Sequence, residues 1–289
     1  MYGRTTEEHD YRLRQVFDRL KKYNLTVKLD KCRFRQEKII YLGHTITGEG
    51  FAPKKELVET IHKLNSPINK EELSHFLGMA EYYGKFIEGF SSLCIHMRKL
   101  LKKGADFVWT KECQEEFVLL KEKLGSAPSL GSFNPTVESI LCTDASSKGL
   151  GAVLKQKREG KEKTILFLSR CLQGAELRYS VIEKEALAVY WAVRKLKRFL
   201  WGTKFSVMSD HKPLCEIFEK KGLDVVSGRI SRWVIALQDY DFSISYIPGV
   251  KNRIADSLSR LAPLEIQEED MSDDDGDEIE EKVCMVQQI

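Results

Sequence analysis

The stretch "LCTDASSKGLGAVL", residues 141–154, decides the fold of the second half of the chain. Its apolar start, led by Ile140, reads as a strand that ends at Thr143-Asp144. A small-residue turn follows, and Leu150 to Leu154 form a second apolar run. Strand, tight turn and strand make the pattern of an antiparallel hairpin. Asp144, at the strand end, has two readings. Asp often serves a turn by bonding the backbone just ahead of it. An acid at a strand's carboxyl end also stands where open α/β sheets bind ligands, and its company decides between the two.

Working outward, strands are predicted at 137–143, 150–156 and 163–170, an antiparallel meander. A long helix fits 180–200, and a further strand, "FSVMSD", fits 205–210. That helix is long enough for a parallel crossover, so the 205–210 strand should run parallel to the first. Asp144 and Asp210 then finish side by side. Short helices near 212–219 and 228–239, a strand at 241–247 and a helix at 252–261 complete a mixed five-stranded α/β sheet with flanking helices. In the long helix Ile182, Glu185, Val189, Ala192 and Leu196 recur at i+3/i+4 spacing and define an inward stripe. Glu185 is the one charge in it, and a carboxylate on an apolar face is costly unless a cation pairs with it. Glu183, rotated by about 200° on an ideal helix, is expected to face solvent. Asp256 lies beside Asn252 and Arg260 on a polar helix face, and reads either as a fourth member of the group or as a surface residue.

Carboxylates gathered at one point repel unless divalent cations lie among them. Hard oxygen ligands favour Mg²⁺ or Mn²⁺. A pair of such ions can activate a water and stabilise a leaving oxygen in phosphodiester cleavage.

The first half reads differently. A helix is predicted at 7–23 from Leu13, Val16, Phe17 and Leu20, with short strands at 25–29 and 38–47. "LGHTITGEG" looks like a hairpin with Gly48 and Gly50 in its turn region, and Pro53 closes the segment. A helix at 55–64 stops before Pro67. Asn69 then caps another, with Glu72 completing an Asn-x-x-Glu box. Leu73, Phe76, Leu77, Ala80, Tyr83 and Ile87 form its core stripe, while Ser74, Gly78 and Tyr82 fall on a different face. A mid-helix Gly costs about 1 kcal/mol relative to Ala, so Gly78 implies close approach, by another helix or by a nucleic-acid backbone. Further helices fit 91–103 and 111–124, and "SAPSLGSFNP" reads as a linker.

The 289 residues are 42% hydrophobic and 31% charged, which suits a globular chain of more than one domain. The longest apolar run, Ala186 to Val193, is too short to span a bilayer. The opening residues carry no apolar signal-peptide core. No membrane partner is expected, and the location should be intracellular, cytoplasmic or nuclear. Seven scattered cysteines, none in a Cys-x-x-Cys pair, point to reduced thiols. The net charge of +3 hides an asymmetry: residues 265–289 hold eleven Asp/Glu and one Lys, against 45 Lys/Arg and 32 Asp/Glu elsewhere, a body of +13. A basic body is the footprint of a polyanion binder. The acidic end cannot bury a core and is expected to be disordered.

Several ordered motifs carry a family resemblance. "TDAS" (143–146), "YSVIEKEALAVYWAVRKLKRFLWGTKFSVMSDHKPL" (179–214) and "RISRWVIALQDYDFSISYIPGVKNRIADSLSR" (229–260) resemble the RNase H domain of gypsy-type long-terminal-repeat retrotransposon Pol polyproteins. "YLGHTITGEGF", "SHFLGMAEYYGKFI", "FVWTKECQEEFVLLKEKL" and "SAPSL" resemble the reverse transcriptase thumb and tether of the same elements. The resemblance spans about residues 5–261. It implies an RNase H-like fold preceded by a mainly helical thumb and a palm remnant. The expected division is 1–52 palm remnant with a primer-grip-like hairpin, 53–128 thumb and tether helices, 129–263 RNase H-like domain, and 264–289 acidic tail.

By the same resemblance Asp144, Glu185, Asp210 and Asp256 are catalytic, metal-binding carboxylates for two Mg²⁺ or Mn²⁺ ions. Tyr246, in "YIPG", is either an auxiliary residue or a packed strand residue. Leu42 and Gly43 match the primer grip, and Ser74, Gly78 and Tyr82 the thumb face that follows a duplex. Lys195, Lys197, Arg198, Arg229 and Arg232 are candidates for phosphate contacts. The expected partner is an RNA–DNA hybrid or another nucleic acid, with other Pol segments as further partners. The expected function is that of an endonuclease cutting RNA in hybrids. The alternative is a catalytically silent or domesticated binding remnant, a polymerase by descent only. The family's polymerase carboxylates would precede Met1, so this chain alone is expected not to synthesise DNA.

Overall fold

Ser146 explains how the 141–154 stretch turns. Its hydroxyl accepts the backbone N–H groups of Lys148 and Gly149, at 3.1 and 3.0 Å. That is the turn-forming task Asp144 could have had. It joins β4 (Ser139–Ala145) to β5 (Gly149–Arg158), and Asp144 stays within the ladder opposite Gly151. The earlier strands are β1 (Lys38–Tyr41), β2 (His44–Thr47) and β3 (Gly50–Pro53). The computed structural model describes residues 3, 5–158, 160–219, 228–249, 252, 254, 255 and 259.

β6 (Lys161–Cys171) completes the antiparallel meander, and β7 (Phe205–Ser209) and β8 (Phe242–Tyr246) add in parallel. The mixed sheet has the order β6-β5-β4-β7-β8. Six helices belong to the first half and the crossover: α1 (Thr6–Lys22), α2 (Lys55–Lys63), α3 (Lys70–Tyr82), α4 (Ile95–Leu100), α5 (Lys111–Gly125) and α6 (Val181–Lys195). α6 is held at its start by a reciprocal box in which Ser180 and Glu183 each accept the other's backbone N–H. Its buried face is rich in small residues, Ala186, Ala188, Val189, Ala192 and Val193, which let the helix lie close on the sheet. The predicted 180–200 helix breaks at Leu196, and a separate turn, α7 (Lys197–Leu200), follows. α8 (Lys212–Phe218) and α9 (Gly228–Ala236) follow.

The first half departs from expectation in four places. Residues 25–29 form no strand, and a 3-10 turn occupies Leu29–Lys31 instead. The predicted 38–47 strand is two strands. Leu42 and Gly43 both have positive φ, +46° and +75°, and fold β2 back on β1. Two positive φ values in a two-residue loop are the signature of a turn matching strand twist. The predicted 91–103 helix is a 3-10 segment, Phe90–Cys94, and the short α4. Asn69 does cap α3, accepting the Glu72 N–H at 2.8 Å, but the Glu72 carboxylate accepts from Ile68, one residue ahead of the cap.

The linker is stitched into the fold. Phe51 and Leu130 exchange two backbone hydrogen bonds of 2.8 Å, and the Gly131 N–H donates to the Thr164 carbonyl at 2.7 Å. One apolar cluster joins the two halves: Phe76, Phe86, Ile87, Phe90 and Phe117 share it with Cys142, Val153 and Phe167 from the five-stranded sheet. The opposite sheet face, with Leu141, Leu154 and Val207, packs with Val189 and Val193 of α6. Among the described residues no helix is long and apolar enough to cross a membrane. Residues 256 and 264–289 lie outside those described, as does most of the predicted 252–261 helix.

His44, at the start of β2, is fully buried among Tyr82, Tyr83 and Phe86. Burial, with a smaller push from Lys85, lowers its imidazole to about 4. The unfolded chain therefore takes up this proton near pH 6.5, before the folded chain does. Stability is full above that pH and is lost as the pH falls towards 4, by about 3 kcal/mol in all. Urea melts at pH 7 and pH 4.5 should show this loss in the wild type and a flatter profile in His44→Phe.

Candidate active site

Parallel pairing of β4 and β7 puts their carboxyl ends at one edge of the sheet. α6 leads into β7 as the crossover, so its amino-terminal turns lie at that same edge. Asp144 is near the end of β4, Asp210 directly follows β7, and Glu185 sits in the second turn of α6. One carboxylate oxygen from each lies within 4.8 Å of the other two. Asp144 and Glu185 are each 4% exposed, and Asp210 is half-buried.

The surroundings hold these groups in place. The Ala145 N–H donates to Glu185 Oε1 at 3.3 Å. The Ser259 hydroxyl donates to Asp144 Oδ2, and Ser146 donates to the Ser259 carbonyl. Buried Asn252 donates to the Thr143 carbonyl at 3.0 Å. Asn252 and Ser259, both past β8, thus lie against the end of β4. Gly249 comes so close that a Cβ there would stand 3.1 Å from Asp210 Oδ2. Ser259, Gly249 and the bond made by Asn252 carry no periodic signal, and sequence reasoning passed over them. Asp256 lies outside the described residues.

Three acids so close, two of them buried, are a donor set that fits hard divalent cations. Glu183 faces elsewhere, as the helix phase predicts, but it is not simply solvated. It caps α6 and pairs with Arg229 at 2.6 Å. The Arg229 guanidinium also lies over the Tyr179 ring, 4.0 Å from its centroid.

The other predicted contact residues are spread over the molecule. Tyr246 ends β8 opposite Ser209, at the acids' edge of the sheet, and is 49% exposed. Lys195, Lys197 and Arg198 are exposed at the far end of α6 and in α7. Ten residues separate Glu185 from Lys195, about 15 Å of helix. Lys197 lies over the Trp201 ring, and exposed Arg232 donates to the Gly228 carbonyl. Leu42, 49% exposed, and Gly43 form the β1–β2 turn. Ser74 and Gly78 line an open groove of about 800 Å³ with Lys70, His75 and Met79. A Cβ on Gly78 would meet nothing within 4 Å, so among the described residues no helix makes the close approach that was one of the two expectations there. Tyr82 turns away to bond the Leu42 carbonyl.

Residues 134–240 match the family model described as an RNase H-like domain found in reverse transcriptase. The chain is 36% identical over 262 residues to the retrovirus-related Pol polyprotein from transposon 297 of Drosophila melanogaster, covering 90% of this chain and 24% of that protein. It is 33% identical over 264 residues to the transposon Tf2-3 polyprotein of Schizosaccharomyces pombe, covering 90% and 20%. The chain thus spans about a fifth to a quarter of the length of these relatives. A solved structure of foamy viral protease-reverse transcriptase in complex with RNA/DNA hybrid superposes with a TM-score of 0.73 at 21% identity, over 94% of this chain and 37% of that one. A second, in complex with dsDNA, gives 0.74 at 23% identity, over 86% and 52%. Residues 134–240 thus form an RNase H-like domain of the reverse-transcriptase type, in a chain similar along most of its length to retrotransposon Pol polyproteins.

Proposed function

We propose that this domain is an RNase H-type endonuclease that hydrolyses the RNA strand of RNA–DNA hybrids. The observation that carries the reading is the meeting of Asp144, Glu185 and Asp210 within 4.8 Å. These three would hold Mg²⁺ or Mn²⁺, with Asp256 as the fourth acid of the family pattern. Two ions bound there would supply an activated water and charge stabilisation at the leaving oxygen. The protein's own groups set the geometry. Ala145 orients Glu185, Ser259 orients Asp144, and half-buried Asp210 faces the approach from solvent. Tyr246 stands exposed on the same edge of the sheet.

The 2′-hydroxyl is the chemical mark that separates RNA from DNA at such a site. The hybrid in the foamy viral relative supports this choice of substrate. The +13 body supports polyanion binding, with Leu42, Gly43, Ser74 and Gly78 on a surface for the duplex and the exposed Lys and Arg residues for its phosphates.

The test offers the purified chain labelled hybrid, single-stranded RNA and double-stranded RNA, each with Mg²⁺, Mn²⁺ or chelator. Cutting of the hybrid's RNA strand alone, with 3′-hydroxyl and 5′-phosphate ends and none in chelator, is expected. Hybrid binding should weaken steeply with salt as counterions are released. Equal cutting of single-stranded RNA, or activity in chelator, would sink the reading. Salt-sensitive binding without cutting would leave a nucleic-acid-binding module.

A further inference from the structure

Two consecutive tyrosines at the end of α3 grip two consecutive carbonyls some forty residues earlier in the chain. Tyr82 donates its hydroxyl to the Leu42 carbonyl at 2.5 Å, and Tyr83 donates to the Gly43 carbonyl at 3.1 Å. The Gly43 carbonyl also accepts the Lys54 N–H at 3.0 Å. Gly43 is required here twice over. Its φ is +75°, and a Cβ would lie 2.5 Å from the Tyr83 hydroxyl. The two rings meet edge to face, 4.9 Å apart.

His44 fills the space between turn and helix. Its ring stacks on Tyr82 at 5.0 Å and 6°, and meets Tyr83 edge-on at 5.5 Å. Neither ring nitrogen has a hydrogen-bond partner among the described residues. The imidazole therefore acts as a flat apolar spacer, and the hydroxyls supply the directional bonds. Burial holds both phenols above their usual range, Tyr83 at about 12, so they stay protonated donors.

We propose that Tyr82 and Tyr83 are positioning residues that lock the β1–β2 turn to α3 and so set the spacing of two surfaces offered to a duplex. One surface is the turn, with exposed Leu42. The other is the open face of α3, with Ser74 and Gly78. This role rests on the hybrid-binding reading above. It reassigns Tyr82 from a nucleic-acid contact to a strut behind the contact surface. A turn bonded only to its own hairpin would move independently of the helix, and each hybrid bound would have to order it. The clamp makes that ordering part of folding.

The test compares wild type with Tyr82→Phe, Tyr83→Phe and the double variant, which keep the ring packing and remove the hydroxyls. Hydrogen exchange is followed at the Gly43 and His44 amides without nucleic acid, and KM and kcat are measured on the hybrid in Mn²⁺. The double variant should exchange faster at those amides. Its KM should rise roughly tenfold, the worth of one to two hydrogen bonds, with kcat within a factor of about two. Unchanged exchange would overturn the clamp. A fall in kcat at unchanged KM would also overturn it, since that marks a loss of folded protein rather than of positioning. If the wild type cuts no hybrid, the nuclease reading fails by itself. Exchange and hybrid affinity by anisotropy then decide the clamp, with the same directions expected.

Discussion

Glu185→Gln is expected to lower hybrid cleavage by roughly 10³-fold or more, while Glu183→Gln stays within a few-fold on the same hybrid. The two residues are neighbours but one in sequence, on opposite sides of α6. Glu185 brings an oxygen within 4.8 Å of Asp144 and Asp210 and accepts the Ala145 N–H. Replacing it removes a charge that divalent ions need. Without ions, melting temperature should hold or rise, because one of three repelling carboxylates is gone. Glu183 is spent on the Ser180 cap and on Arg229. Its replacement should lower stability by about 1 kcal/mol and leave the chemistry alone. Rates and melts of both variants check this. A dead Glu183→Gln beside an active Glu185→Gln would reverse the helix phase and remove the site assignment.

Phe86→Ala is expected to cost about 3–5 kcal/mol and to weaken both halves of the molecule at once. Phe86 is 1% exposed and belongs to the cluster that includes Cys142, Val153 and Phe167 on the five-stranded sheet. It also packs against His44 at 5.5 Å. Calorimetry should give one cooperative transition in the wild type and one, shifted down, in the variant. Two transitions, with the sheet domain melting at its original temperature, would show that the shared cluster does not couple the halves. Residues 129–263 alone would leave Cys142, Val153 and Phe167 without the cover of Phe86 and Phe90.

The sequence was legible where a period or a cap carries information. The meander follows from three apolar runs, and the choice of Glu185 over Glu183 from a 3.6-residue stripe. The parallel placement of β4 and β7 follows from the length of the crossover. The structure covers the sheet on both faces. Leu141 and Cys142 are adjacent and belong to opposite faces, as do Ala152 and Val153. Such uninterrupted apolar strands fit a sheet covered on both sides.

Other features left no such mark. "IIYLGHTIT" is rich in β-formers, and its turn places Leu42 at positive φ, a conformation Leu seldom adopts. Tyr82 and Tyr83, forty residues away, hold it there, and no local propensity reports that. Ser259 reaches Asp144 across 115 residues through one hydroxyl. Gly78 suggested close approach by another helix or by a nucleic-acid backbone, and among the described residues its helix face is open.

Single-turnover cleavage of a hybrid labelled on its RNA strand, by wild type and Asp210→Asn at saturating Mn²⁺, tests the central claim most directly. Asp210 is the most exposed of the three acids, so its replacement disturbs the least packing. The wild type should cut the RNA strand, and Asp210→Asn should bind the hybrid as tightly or more tightly and cut nothing. Asp210→Asn cutting at the wild-type rate would contradict the account, because the three acids would then not be the catalytic site.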